Sequence, residues 1–143
     1  MKASQACVDL IKRCESLSLD AYLCPAGAAT IGWGHTRGVH LGQSISPSFA
    51  DALLQEDIEA VEEELSLMLR VPVTQGQWDA LVSLCFNCGA RALPYKAPHL
   101  WACLLAGKKL QAANEFLDIC HAGGVELPGL KARREAEAEL FLA

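Results

Sequence analysis

Between residues 20 and 42 the chain carries six glycines and prolines: Pro25, Gly27, Gly32, Gly34, Gly38 and Gly42. Only short apolar pieces separate them, and no helix tolerates that density of breakers. The segment reads as a small antiparallel hairpin or meander. Helical spacing holds on both sides of it. Ala3, Cys7, Leu10, Ile11 and Cys14 form one apolar stripe, which predicts a helix over 3–14. Ser46 reads as an N-cap with Pro47 at the first helical position. Phe49, Leu53, Leu54, Ile58, Val61, Leu65 and Leu69 then recur for about six turns, until Pro72.

Thr74-Gln75-Gly76-Gln77 reads as a capping box, opening a helix that sends Trp78, Leu81, Val82, Cys85 and Phe86 into the core and ends at Gly89. Further helices are expected at about 98–106, 108–120 and 130–142, separated by Gly107, Gly123-Gly124 and Pro128-Gly129. The expectation is an α+β fold, mainly helical, with two lobes and a cleft between them. Residues 1–143 form one domain: a small lobe with the sheet over 1–45, a linking helix over 46–71, and a helical lobe over 72–143.

Composition narrows the function classes. The 143 residues are 52% hydrophobic and 20% charged, which suits a folded domain with a real core. No apolar run approaches the roughly 18 residues that span a bilayer. Met1 to Val8 has one lysine and no apolar centre, so it does not read as a secretory signal. The chain is expected to stay in the cytoplasm until the membrane is opened. A net charge of −5 argues against nucleic acid, which needs a clustered basic face. The acidic excess lies mostly on the predicted long helix, in Asp51, Glu56, Asp57, Glu59, Glu62, Glu63 and Glu64. That pattern is a solvated face. Seven cysteines cannot all pair within the chain; Cys7, Cys14 and Cys103 fall on apolar stretches and read as core thiols. Cys85-x-x-Cys88 lacks a second pair at metal-knuckle spacing, so no metal and no cofactor is expected.

The chemistry concentrates around Glu15. It stands at the C-terminal end of the first helix, where the helix dipole disfavours a negative charge and so suits a proton donor. Cys24 follows nine residues later, and Thr30 fifteen residues later, opening Thr30-Ile31-Gly32-Trp33-Gly34-His35-Thr36. An acid facing small polar groups across a strand-and-turn lip is what acid-assisted glycoside hydrolysis needs. This spacing resembles the active-site signature of the phage-type lysozymes, the endolysins of glycoside hydrolase family 24. The likeness runs along nearly the whole chain, through Leu53-Leu54-Gln55-Glu56-Asp57, Ala80-Leu81-Val82-Ser83, Phe86-Asn87-Cys88-Gly89, and Gly129-Leu130 to Arg133-Arg134-Glu135-Ala136-Glu137.

The resemblance implies that Glu15 is the general acid and that Thr30 positions the attacking water. Cys24 stands where many members carry aspartate and others cysteine. At its unperturbed pKa only about 3% of a thiol is thiolate at pH 7. It could hold a water, attack the sugar, or simply fill a turn. Trp33, Asn87 and Arg134 are the expected substrate-binding residues. Asn87 reads either as a cleft amide or as a helix C-cap. Arg133 and Arg134 read either as partners of an acid near the cleft or as a surface pair. His35 and Asp57 are expected to pair and to pin the sheet to the long helix.

The sequence also departs from the family pattern. Cys14-Glu15-Ser16 replaces Phe-Glu-Gly, and Ile119-Cys120 stands where a tryptophan is typical. Leu93-Pro94-Tyr95-Lys96-Ala97-Pro98-His99 replaces a polar helix start at the cleft rim. The leading expectation is a muramidase that cleaves the β-1,4 bond between N-acetylmuramic acid and N-acetylglucosamine in peptidoglycan, as a monomer released by a holin to reach the cell wall. The alternatives are a wall-binding module on the same fold, or a hydrolase of chitin-like polymers.

Overall fold

The computed structural model describes residues 1–91, 93–122 and 125–143. The expected break at Gly123-Gly124 lies outside them. Helix α1 (Gln5–Glu15) buries Cys7, Leu10 and Ile11, with Lys12 and Arg13 in its last turn complementing the dipole. Glu15 is its final residue. Ser16 then turns the chain at φ +59°, ψ 158°, a region that belongs almost to glycine alone. Strand β1 (Ser18–Leu23) pairs antiparallel with β2 (Ala29–Gly32), Tyr22 opposite Thr30 and Leu23 opposite Ala29, with an irregularity towards Ser18. The turn between them closes through Cys24 N–H to Ala28 O at 2.9 Å and Gly27 N–H to Cys24 O at 2.8 Å.

The Ser46 hydroxyl caps α2 (Pro47–Met68) by accepting from Phe49 N–H. At 1.5 Å per residue this helix runs for roughly 33 Å. It ends before the expected boundary of 71, because Leu69 leaves the helix in an extended conformation at φ −88°, ψ 107°. Helix α3 (Gln75–Cys88) opens with a complete capping box: Gln77 N–H reaches the Thr74 hydroxyl, and Thr74 N–H reaches the Gln77 side chain at 2.9 Å. Residues 78–85 of α3 are all buried, so this helix is the axis of the core.

The rest packs around α3. A single turn, α4 (Leu93–Lys96), precedes α5 (Pro98–Leu105) and α6 (Lys109–Phe116). A two-residue ladder, β3 (His121–Ala122) with β4 (Val125–Glu126), leads into α7 (Pro128–Leu142). Neither α4 nor this ladder was expected. The sixth helix stops at 116 rather than 120, and the seventh starts at 128 rather than 130, because Pro128 occupies its first turn. Helices α3 and α7 cross very closely. A Cβ on Gly76 would stand 2.4 Å from the Leu140 carbonyl oxygen. Phe116 and Phe141 stack with centroids 5.4 Å apart, tilted by 53°. Cys7 and Ile11 of α1 join the same core as Trp78, Leu81 and Phe116. The first helix therefore packs on the helical body while the sheet stands out from it.

Candidate active site

Glu15 comes to its place because α1 packs against α3 and α7, and its carboxylate meets Arg133 of α7 at once. Arg133 Nη1 donates to Glu15 Oε1 at 2.7 Å. The same guanidinium is anchored by Nη2 to the Ser83 carbonyl at 3.0 Å. Burial works against the Arg133 charge. The hydrogen bond to Glu15 and the charges of Glu137 and Glu15 outweigh it, so the guanidinium titrates above its ordinary value.

The other carboxylate oxygen faces the sheet. A Cβ on Gly34 would lie 2.7 Å from Glu15 Oε2, and Gly34 has φ +82°. Only glycine fits the acid that closely in that conformation. Glu15 also lines a hollow of about 730 Å³ between α1 and the start of α7, shared with Asn87, Arg133, Leu127 and Pro128. A second hollow of about 270 Å³ lies beyond Gly34, bordered by Thr36, Asp57, Phe86 and Gly89. Gly34 lines the second and abuts the acid that lines the first, so the two adjoin at Gly34.

Cys24 and Thr30 line neither hollow but meet each other at the sheet's end. Thr30 is 3% exposed, and its hydroxyl donates to Ala28 O at 3.0 Å. Backbone N–H groups of Ala28 and then Ala26 hold the Cys24 thiol below its ordinary pKa, helped by the Thr30 hydroxyl and Gly27 and opposed by slight desolvation. A hydroxyl has one proton, so Thr30 serves Ala28 or Cys24 at a given moment; the 3.0 Å geometry places it on Ala28.

The remaining candidates form supports. His35 Nδ1 lies 2.8 Å from Asp57 Oδ2, and its Nε2 lies 2.9 Å from Arg37 O. Trp33 is turned to its neighbours: its indole N–H donates to Asp51 Oδ1 at 3.0 Å, and Lys12 Nζ sits 5.2 Å over its ring. Asn87 is exposed inside the last turn of α3, with Gly89 as the C-cap, so its amide is not the cap. Arg134 is 1% exposed. It donates to Asn87 Oδ1, Ile119 O and Glu137, and presents no free face to a ligand. Sequence reading passed over Glu137, Ser83, Lys12 and Asp51. Opposite charges three and four residues apart in Arg133-Arg134-x-x-Glu137 were the available signal.

Phage lysozyme is the family whose profile matches, over residues 12–137. The endolysin of Acyrthosiphon pisum secondary endosymbiont phage 1 is 41% identical, covering 99% of this chain and 98% of that protein. The endolysin of Salmonella phage P22 is 36% identical, covering 100% and 99%. The active form of the P1 phage endolysin Lyz superposes with a TM-score of 0.89 at 29% identity, covering 99% of this chain and 85% of that one. The secreted inactive form of Lyz reaches 0.63 at 26% identity, covering 99% and 96%. Matched by that profile along most of its length, and related end to end to these endolysins, the chain belongs to the phage lysozyme family.

Proposed function

We propose that the chain is an endolysin in which Glu15 protonates the glycosidic oxygen between N-acetylmuramic acid and N-acetylglucosamine of peptidoglycan. The observation that carries this reading is the division of labour at the Glu15 carboxyl group. Oε1 is tied to Arg133 at 2.7 Å, and Oε2 is left against Gly34, where no side chain intervenes. A proton carried on Oε2 leaves the Arg133 contact intact. Cys24 takes the opposite role. Turn N–H groups favour its thiolate, which accepts a proton from a water steadied by Thr30. That water attacks the anomeric carbon as the bond to oxygen breaks, which gives inversion.

Asn87 offers substrate its amide N–H groups, because Arg134 occupies its oxygen. Arg134 and Trp33 then act on substrate through Asn87 and the Gly34 backbone rather than by touching sugar. The likeness to the active form of Lyz, greater than to the inactive one, supports reading this arrangement as the working one. The enzyme works as a monomer, in one domain in which α2 links the sheet lobe to the helical lobe and α1, although it precedes the sheet, packs with the helical lobe. Among the described residues no helix is long and apolar enough to cross a membrane. Likeness to the endolysins is the ground on which we assign passage to the cell wall to a holin.

Loss of turbidity of outer-membrane-permeabilised Gram-negative cells tests this reading. Glu15→Gln keeps the acceptor for Arg133 and removes the proton donor. The rate is expected to fall at least about 100-fold. A folded Glu15→Gln protein that clears cells like the wild type would sink the proposal. A wild type that pellets with walls without clearing them would favour a binding module.

A further inference from the structure

Behind Glu15 and Asn87 lies a buried charge cluster that neither role explains. Glu137 is 0% exposed and sits on α7 beside both arginines. Its Oε1 accepts from Arg134 Nη1, and Arg134 Nη2 reaches Asn87. Its Oε2 lies 3.5 Å from Arg133 Nε. Both of those atoms are buried, and neither has a hydrogen-bond partner. Arg133 is thus closed at its far end on Glu15 and held just open at its near end, facing a carboxylate oxygen that is itself unpartnered.

We propose that Glu137 is a positioning residue for the reaction: it aims Arg133 and Arg134 at Glu15 and Asn87, and supplies the counter-charge onto which Arg133 closes when Glu15 takes up its proton. The inference rests on Glu15 being the acid. With Glu15 ionised, two carboxylates balance two guanidiniums. Protonation of Glu15 leaves Glu137 alone against both. Shortening the 3.5 Å gap then gives each orphan atom a partner while Arg133 still donates to the uncharged Glu15 oxygen.

The other groups around the cluster come from α1, α2 and α3. Burial pushes the thiols of Cys7, on α1, and Cys85, on α3, up to about 12, and raises that of Cys14. Cys88 of α3 meets Arg134 Nη2 at 3.5 Å. Arg13 on α1 is a further cation beside Cys14, and Gly34, just past β2, abuts Glu15. Asp79 of α3 and Glu62 and Glu64 of α2 stand one layer further out, acting on Cys7 and Cys85.

The test is the pH–rate profile of the full chain carrying Glu137→Gln, measured as reducing ends released from purified glycan strands. Glutamine keeps the shape and an acceptor for Arg134 but removes the charge, so Arg133 favours ionised Glu15. The alkaline limb of kcat should move down by about one pH unit with KM little changed, and Glu137→Asp should return it towards the wild type. An unmoved limb in a folded Glu137→Gln protein overturns the proposal. If that variant does not fold, the wild type decides through the Arg133 Nε–H resonance, which must shift in step with the alkaline limb. A resonance that stays constant across it overturns the proposal equally. Glu15→Gln separates the two readings: inactive Glu15→Gln with an unmoved Glu137→Gln limb removes this inference alone, and active Glu15→Gln removes the acid.

Discussion

In the proposed mechanism Cys24 is the proton acceptor on the sheet side. An unperturbed thiol is only about 3% ionised at pH 7, too little for a proton acceptor. The turn acts in the opposite direction, because the N–H groups of Ala28 and then Ala26 favour the thiolate. A lowered pKa means that thiolate forms at lower pH and is lost only on further acidification. Iodoacetamide at pH 7.5 should therefore label Cys24 first and stop turnover with it. Cys7 and Cys85, buried and pushed up to about 12, should stay unlabelled, and Cys14, raised by burial, should lag. Peptide mapping of partly labelled protein reads the order; Cys14 or Cys88 reacting as fast as Cys24 would contradict it. Sequence alone showed the spacing of Glu15, Cys24 and Thr30, since those residues are separated along the chain by a countable turn. It could not show the turn N–H groups, which depend on backbone direction, and it left Arg133 open between an acid near the cleft and the surface, where the structure sets it on Glu15 across 118 positions.

At the scale of elements, local chemistry was readable and inversion of polarity was not. The capping box at Thr74 and the proline start of α2 declare themselves in four residues each. Helix α7 does the opposite. Its buried stripe is Arg133, Arg134, Glu137, Ala138 and Phe141, so the helix expected at 130–142 was found while its charged residues hid which face is buried. Pro94 obscured α4, although it stands in a first turn where proline is tolerated, whereas α5, expected at 98–106, runs Pro98–Leu105. The crossing of α3 on α7 gives a sharp test. Gly76→Ala gains helix propensity, worth at most about 1 kcal/mol. Against that, the new Cβ meets the Leu140 carbonyl oxygen at 2.4 Å, and backbone cannot swing aside like a side chain. Overpacking of this kind costs about 1–3 kcal/mol, so the clash wins. The urea midpoint of Gly76→Ala should fall; a rise would mean that the helices separate freely.

The whole molecule divides its chemistry between two bodies. Because α1 packs into the core of α3 and α7, Glu15 belongs mechanically to the helical body. Cys24 and Thr30 ride on the sheet. Their register depends on the joints between the two: His35 with Asp57, and Lys12 and Trp33 with Asp51. The first joint is the better shielded, with His35 and Asp57 side chains 10% and 20% exposed against 56% for Asp51. Both ring nitrogens of His35 face acceptors, so the ring also fastens the Arg37 carbonyl. Asp57→Ala removes a charge-assisted bond worth about 2 kcal/mol. If the joint holds the sheet to the body, that loss should be local. Hydrogen exchange should quicken at the Ile31 and His35 amides, which bond to each other's carbonyls at 2.9 Å, while residues 78–85 of α3 keep their protection. The kcat should fall with it, because Cys24 and Thr30 then sample positions away from Glu15. Equal loss of protection in α3 and the sheet would show instead that both bodies unfold as one, and that the lobes share a single cooperative core.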